Sequence, residues 1–164
     1  MTVVRDPHDP GQESVWDYPR PPIAAPCGKR VVIMHRGITI ADTHNAIRTL
    51  ETSHPPTYYL PPADVLMSAL RPAEGSSFCE WKGHARYFDV IVEGQRLTKA
   101  AWSYPAPTAD FDLLRDHLAF YAEPFDACFV GGARVTPQPG GFYGGWITAN
   151  IRGPFKGISG SRFW

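Results

Sequence analysis

No Cys-x-x-Cys pair, no apolar run of membrane length and no excess of either charge occurs in this 164-residue chain, and each shortage removes a class of function. Lys plus Arg and Asp plus Glu stand at 16 each, so no overall field draws the protein to nucleic acid or to a membrane surface. Neither is expected as a partner. Cys27, Cys79 and Cys128 are three widely spaced cysteines, an odd count without metal or redox spacing, and Met1-Thr2-Val3-Val4 opens no secretory signal. Free thiols in a reducing cytoplasm are the reading. No stretch approaches the roughly 20 apolar residues of a membrane helix. Phosphate loops, the G-x-S-x-G elbow and H-E-x-x-H are all missing, and the six histidines are scattered. No metal site and no cofactor are therefore expected.

What is present is proline, glycine and aromatic side chains. Seventeen prolines and fifteen glycines in a chain that is 13% aromatic argue against disorder and against long helices. The length suits a single domain, which would bury roughly 70% of the surface exposed by the unfolded chain. Residues 1–15 read as a flexible leader, and the domain spans 16–164, with Trp16 and Tyr18 pinning a proline-dense segment to the body. Three segments, Val31–Ile40, Phe88–Leu97 and Ala127–Val135, each join two β-rich runs through a glycine turn. They predict a mainly antiparallel sheet. A fainter echo between Tyr58–Val65 and Phe120–Ala127 suggests two related halves in a barrel or sandwich. Two short helices are predicted near residues 43–51 and 109–117, from a cap at Asp42 or Thr43 with Ala46, Ile47 and Leu50 on one face, and from Phe111, Leu114 and Leu118. Residues 136–164, where glycine alternates with Phe142, Tyr143, Trp146 and Trp164, read as an arm wrapped over the body or over a second copy in a homodimer.

The densest chemistry lies in Phe78-Cys79-Glu80-Trp81-Lys82-Gly83-His84-Ala85-Arg86-Tyr87, a strand-like run with a thiol, an amine and an imidazole among aromatics. Lysine is almost never buried unpaired, and glycine admits a ligand or another backbone, so the run reads as the floor of a small-molecule pocket. Cys79 and Lys82 point to opposite faces of a regular strand and meet only if Gly83 or a bulge bends it. In that case the ammonium would favour the thiolate. Cys27 and Cys128 read as inert core thiols. Arg48 and Glu51 would be i, i+3 neighbours on the first helix, an exposed pair of roughly 0.2–0.5 kcal/mol, unless Glu51 faces the pocket, where burial suits it to acid or base work. His54, ahead of two prolines, reads more readily as a turn residue. Trp102 and Tyr104 share a strand face and, with Tyr58 or Tyr59 and Trp81, would wall a cavity for a flat ligand.

Taken together, Glu51-Thr52, Cys79-x-Trp81-Lys82-Gly83, Ala101-Trp102-x-Tyr104-Pro105 and the tail Pro137–Trp146 resemble the family catalogued as domain of unknown function four-two-seven, sometimes labelled nucleotidyltransferase-like. The resemblance covers about residues 16–164. It implies a compact mainly β domain, an open barrel or β-tent similar to Mss4-like proteins and methionine sulfoxide reductase B but without their zinc-binding cysteine pairs. It points to Glu51, Cys79, Lys82, Gly83, Trp102 and Tyr104, and favours Glu51 over His54. The nucleotidyltransferase label has no support in the residues, which offer neither a phosphate loop nor a paired-aspartate metal site. The expected function is acid/base catalysis on a small metabolite by an isomerase, lyase or cyclase step, with Glu51, Lys82, Cys79 and His54 as candidate catalytic residues. Arg48, Tyr58, Tyr59, Trp81, Gly83, Trp102 and Tyr104 are the candidate ligand contacts. The alternatives are a ligand-binding module without turnover and a structural or partner-binding domain.

Overall fold

The computed structural model describes residues 2–164, and short strands dominate it. The chain runs through β1 (Glu13–Ser14), a 3-10 turn at Val15–Asp17, β2 (Ile23–Cys27), β3 (Val31–His35), β4 (Ile38–Thr43), β5 (Ala46–Leu50) and β6 (Thr57–Leu60). Two ten-residue strands follow, β7 (Leu70–Cys79) and β8 (Gly83–Val92), then β9 (Gln95–Ser103) and β10 (Leu118–Phe120). After β11 (Ala127–Val130) and β12 (Ala133–Arg134), the arm holds three two-residue strands, β13 (Thr136–Pro137), β14 (Trp146–Ile147) and β15 (Ile151–Arg152).

An antiparallel sheet of seven strands runs β2-β5-β6-β10-β9-β8-β7 and does not close, and a second of four runs β12-β11-β3-β4. All three predicted hairpins are present, as β3–β4, β8–β9 and β11–β12. The period of two in β6 and β10 decides which way their side chains go. Tyr58, Leu60, Leu118 and Phe120 enter the main core, where they meet Ile33, Ile40 and Cys128 of the smaller sheet. Tyr59 and Ala119 turn to the opposite face, into a second cluster with Ile47, Trp102, Tyr104, Phe111 and Leu114. The candidate site lies on that second face.

The helix expected over residues 43–51 is strand β5. Its apolar spacing fits either structure over so short a run, but Ile47 and Thr49 are β-branched, and β5 is paired on both sides, with β2 and with β6. Arg48 and Glu51 therefore do not share a face. The second helix is a 3-10 segment, Ala109–Leu114, with Phe111 and Leu114 buried as the stripe requires, while Leu118 belongs to β10. The leader is attached rather than loose near its end. Strand β1 pairs in parallel with β15, Asp6 N–H donates to the Gly153 carbonyl, and Val15 is fully buried. Among the described residues no helix is long and apolar enough to cross a membrane.

Candidate functional site

The Phe78–Tyr87 run is a hairpin rather than one strand. Cys79 ends β7 opposite Gly83 at the start of β8, and Glu80-Trp81-Lys82 forms the tip. Gly83 makes this turn possible: its φ is +108°, and a Cβ there would lie 3.3 Å from the Ala106 carbonyl oxygen. Its role is to shape the loop, and it does not line the cavity described below. Thr108 fastens the tip, donating its hydroxyl to the Trp81 carbonyl at 2.6 Å and its N–H to the Lys82 carbonyl at 3.1 Å.

Beneath the tip is a cavity of about 440 Å³, a volume typical of small-molecule sites. Glu51, His54, Cys79, Trp81 and Lys82 line it, with Tyr59, Trp102 and Tyr104 as its floor. Glu51 continues the face of β5 that carries Ile47 and Thr49. Arg48, expected beside it, points the other way and makes a bidentate ion pair with Glu13 at 2.9 and 3.0 Å. Tyr58 also belongs to that opposite side, tilted against Trp146 in the core. Of the pair Tyr58 or Tyr59, Tyr59 is the one at the cavity. It is fully buried, which holds its hydroxyl well above its ordinary pKa, and Trp102 Nε1–H points to its oxygen at 3.4 Å. Cys27 and Cys128 are buried away from the cavity as free thiols, and burial pushes Cys128 up to about 12.

Glu51 and His54 are the first and last residues of a β-turn closed by the His54 N–H on the Glu51 carbonyl at 3.0 Å, with Ser53 at a φ of +73°. The turn brings the two side chains together, with His54 Nε2 3.8 Å from Glu51 Oε2. That is longer than a hydrogen bond, so both groups remain available to a third. His54 is more than the turn residue its sequence context suggests.

Five residues lining this site lie in the arm and were not foreseen there, Gln138, Phe142, Tyr143, Gly144 and Lys156. Gln138 is buried, and its amide orientation is fixed. Oε1 accepts the Gly145 N–H at 3.1 Å, while Nε2 donates to the Lys156 carbonyl at 2.9 Å and to His54 Nδ1 at 3.1 Å. His54 Nδ1 is thereby an acceptor, and the ring proton sits on Nε2, on the side of Glu51. Tyr143 packs edge-on against the imidazole at 5.0 Å. Burial, then the charges of Lys156, Lys82 and Arg20, push His54 down to about 4, so the ring is neutral at pH 7. One sequence signal could have exposed Lys156. The aromatic-Lys-Gly triplet Trp81-Lys82-Gly83 recurs as Phe155-Lys156-Gly157.

A neighbouring cleft of about 530 Å³ lies beyond the Tyr143-Gly144 strap, lined by Lys99, Glu123 and Pro124 among others. It holds neither Glu51 nor His54. Among the described residues no three His, Cys, Asp or Glu side chains converge as metal ligands.

Residues 23–131 match the family model described as Domain of unknown function (DUF427). The chain belongs to the DUF427 family. No curated protein matches it. The match is narrower than the resemblance over 16–164. It contains Glu51, His54, Cys79, Lys82, Trp102 and Tyr104, but stops short of Gln138, Tyr143 and Lys156. In this DUF427 protein the cavity thus combines a wall supplied by the matched segment with a strap supplied by the arm.

Proposed function

We propose that the cavity is the active site of an enzyme that moves a proton next to a carbonyl group of a small, partly planar metabolite, in an isomerase, lyase or cyclase step. Glu51 is the base. It takes a proton from the carbon beside the carbonyl, and the electron pair left behind moves onto the carbonyl oxygen. His54 is the electrophile rather than a second base, because its Nε2–H is free to donate to that oxygen as negative charge builds on it. A neutral imidazole with a low pKa suits this role, since it polarises the oxygen without surrendering its own proton. Return of the proton to the γ-carbon, where a further double bond conjugates the enolate, completes an isomerisation, and expulsion of a group with its bonding pair from the β-carbon completes an elimination. Lys82 supports the site by its charge at the hairpin tip, and Cys79 stays a wall residue.

The observation that carries this reading is the Gln138 contact to His54 Nδ1, by which a buried amide, itself held by the backbone of Gly145 and Lys156, leaves the imidazole proton on Nε2. The test is conversion of a small-metabolite extract followed by mass spectrometry. Native protein should deplete one species and yield an isomer or an elimination product, and Glu51→Gln should abolish the change. Identical profiles for the two proteins would contradict the proposal and favour the ligand-binding module, a reading that the exposed Phe78 and Phe142 at the cavity mouth also suit.

A further inference from the structure

Two cations reach the cavity from separate elements, Lys82 from the β7–β8 tip and Lys156 from the arm. Neither is ion-paired with an Asp or Glu side chain among the described residues. Each ammonium stands instead 5.8 Å from an aromatic centroid, Lys82 at Phe111 and Lys156 at Tyr143, and Lys156 also donates to the last main-chain oxygen, that of Trp164, at 3.2 Å. Aromatic faces hold an ammonium in place without neutralising it, so the Lys82 charge remains for an anion, with Lys156 as a second cation on the same lining. The carboxylates on the lining do not cancel it locally. Glu80 is exposed on the tip, and Glu51 is turned to His54. The floor meanwhile is aromatic, with Tyr59 edge-on to Trp102 at 6.4 Å and tilted 45° to Tyr104 at 6.1 Å between ring centroids. Among the described residues no arginine lines the cavity, so an anion there meets point charges rather than a bidentate fork, and with the Glu51 carboxylate on the same lining a monoanion suits them better than a phosphate dianion.

Resting on the acid/base reading above, we infer that the cavity takes an aromatic monocarboxylate, its ring system against Tyr59, Trp102 and Tyr104 and its carboxylate drawn by Lys82 and Lys156. Such a ligand offsets the cations that, after burial, keep His54 unprotonated, so its charge raises the affinity of His54 for a proton. The occupied site therefore has a signature independent of turnover.

The experiment compares 2-naphthoate, 2-naphthamide and 2-naphthyl phosphate at pH 7, with affinity read from tryptophan fluorescence and His54 followed by NMR. The naphthoate should bind at least tenfold more tightly than the amide and more tightly than the phosphate, and should shift His54 toward its protonated signal at a given pH. Lys82→Met and Lys156→Met should each remove most of the preference over the amide. Lys82→Arg should retain it, and so should Lys99→Met, which alters only the neighbouring cleft. Glu51→Gln should tighten naphthoate binding by relieving like charge. Equal affinity for naphthoate and naphthamide, or a preference for the phosphate, overturns the carboxylate inference while leaving the acid/base reading intact. Loss of binding in Lys99→Met alone moves the site to the other cleft. Failure of all three probes to perturb His54 overturns both the inference and the reading on which it rests.

Discussion

Gly144 and Gly145 bear no side chain because none fits. A Cβ on Gly144 would fall 2.2 Å from Trp102 Cη2, and one on Gly145 would fall 2.5 Å from the Gln138 Oε1 that orients His54. Gly144→Ala should therefore cost roughly 1–3 kcal/mol as overpacking and should displace the strap from the cavity. Denaturant unfolding and Trp102 fluorescence check this, and unchanged values would show that the strap does not sit on Trp102. His54 gives a pH dependence of definite sign. Its proton affinity is lowered on folding, from an ordinary value of 6.5 to about 4, so the unfolded chain binds more protons between those values. Its contribution to stability is complete above about 6.5 and is lost as the pH falls toward about 4. Unfolding measured across that window should be less pH-dependent in His54→Gln than in the native protein, and an unchanged slope would contradict the assignment.

At the scale of elements, the hairpins were legible because glycine turns between β-branched runs fit little else. Strand β5 was not, because a capping residue followed by Ala46, Ile47 and Leu50 satisfies helix and strand alike over five residues, and only the strands on either side decide. The same limit split the site. Glu51, Cys79 and Lys82 stood out as chemistry beside aromatics. Gln138 and Lys156 come from a glycine-rich arm with no periodicity, and the backbone bonds that bring it in, Trp146 N–H to the Pro56 carbonyl and Lys156 N–H to the Ser53 carbonyl, join distant parts of the chain. Arg48 shows the cost of the wrong element: as a strand residue it leaves the pocket and ties the leader down through Glu13. Burial raises the Glu13 carboxyl, but its bonds to Arg48 and Tyr18 outweigh that and leave its pKa below the usual value. This contribution is present above the unfolded carboxylate pKa and fades as the pH drops through the folded one. Glu13→Gln should lose roughly 1–2 kcal/mol, less than a fully buried pair because solvent reaches both partners. Thermal melts at neutral pH provide the check, and equal melting temperatures would show the leader to be dispensable.

Over the whole molecule, the arm completes the body as well as the site. Trp146 is 1% exposed and donates its Nε1–H to the Phe120 carbonyl at 2.9 Å, so it belongs to the core between the sheets. Ending the chain after Thr136 removes that side chain, at a cost of roughly 3–5 kcal/mol for a large aromatic, together with Gln138 and Lys156. The shortened protein should unfold at markedly lower denaturant, and a fragment of unchanged stability would separate the arm from the fold. A homodimer formed through this arm would draw chiefly on Phe142 and Phe163, the most exposed of its large apolar side chains, since Tyr143 and Trp146 are engaged within the chain. Light scattering of the intact protein and of the Phe142→Ser, Phe163→Ser double variant measures whether they join two copies.

The proposed chemistry depends on one imidazole held neutral with its proton on Nε2 beside a carboxylate base. Nitrogen-15 NMR of histidine-labelled protein, titrated from pH 8 to pH 4 and assigned with His54→Gln, measures that state directly. A His54 ring protonated on Nε2 alone throughout the neutral range is expected, with an acceptor-type Nδ1 and a midpoint near 4. A proton on Nδ1, or a midpoint at or above the ordinary 6.5, would contradict it.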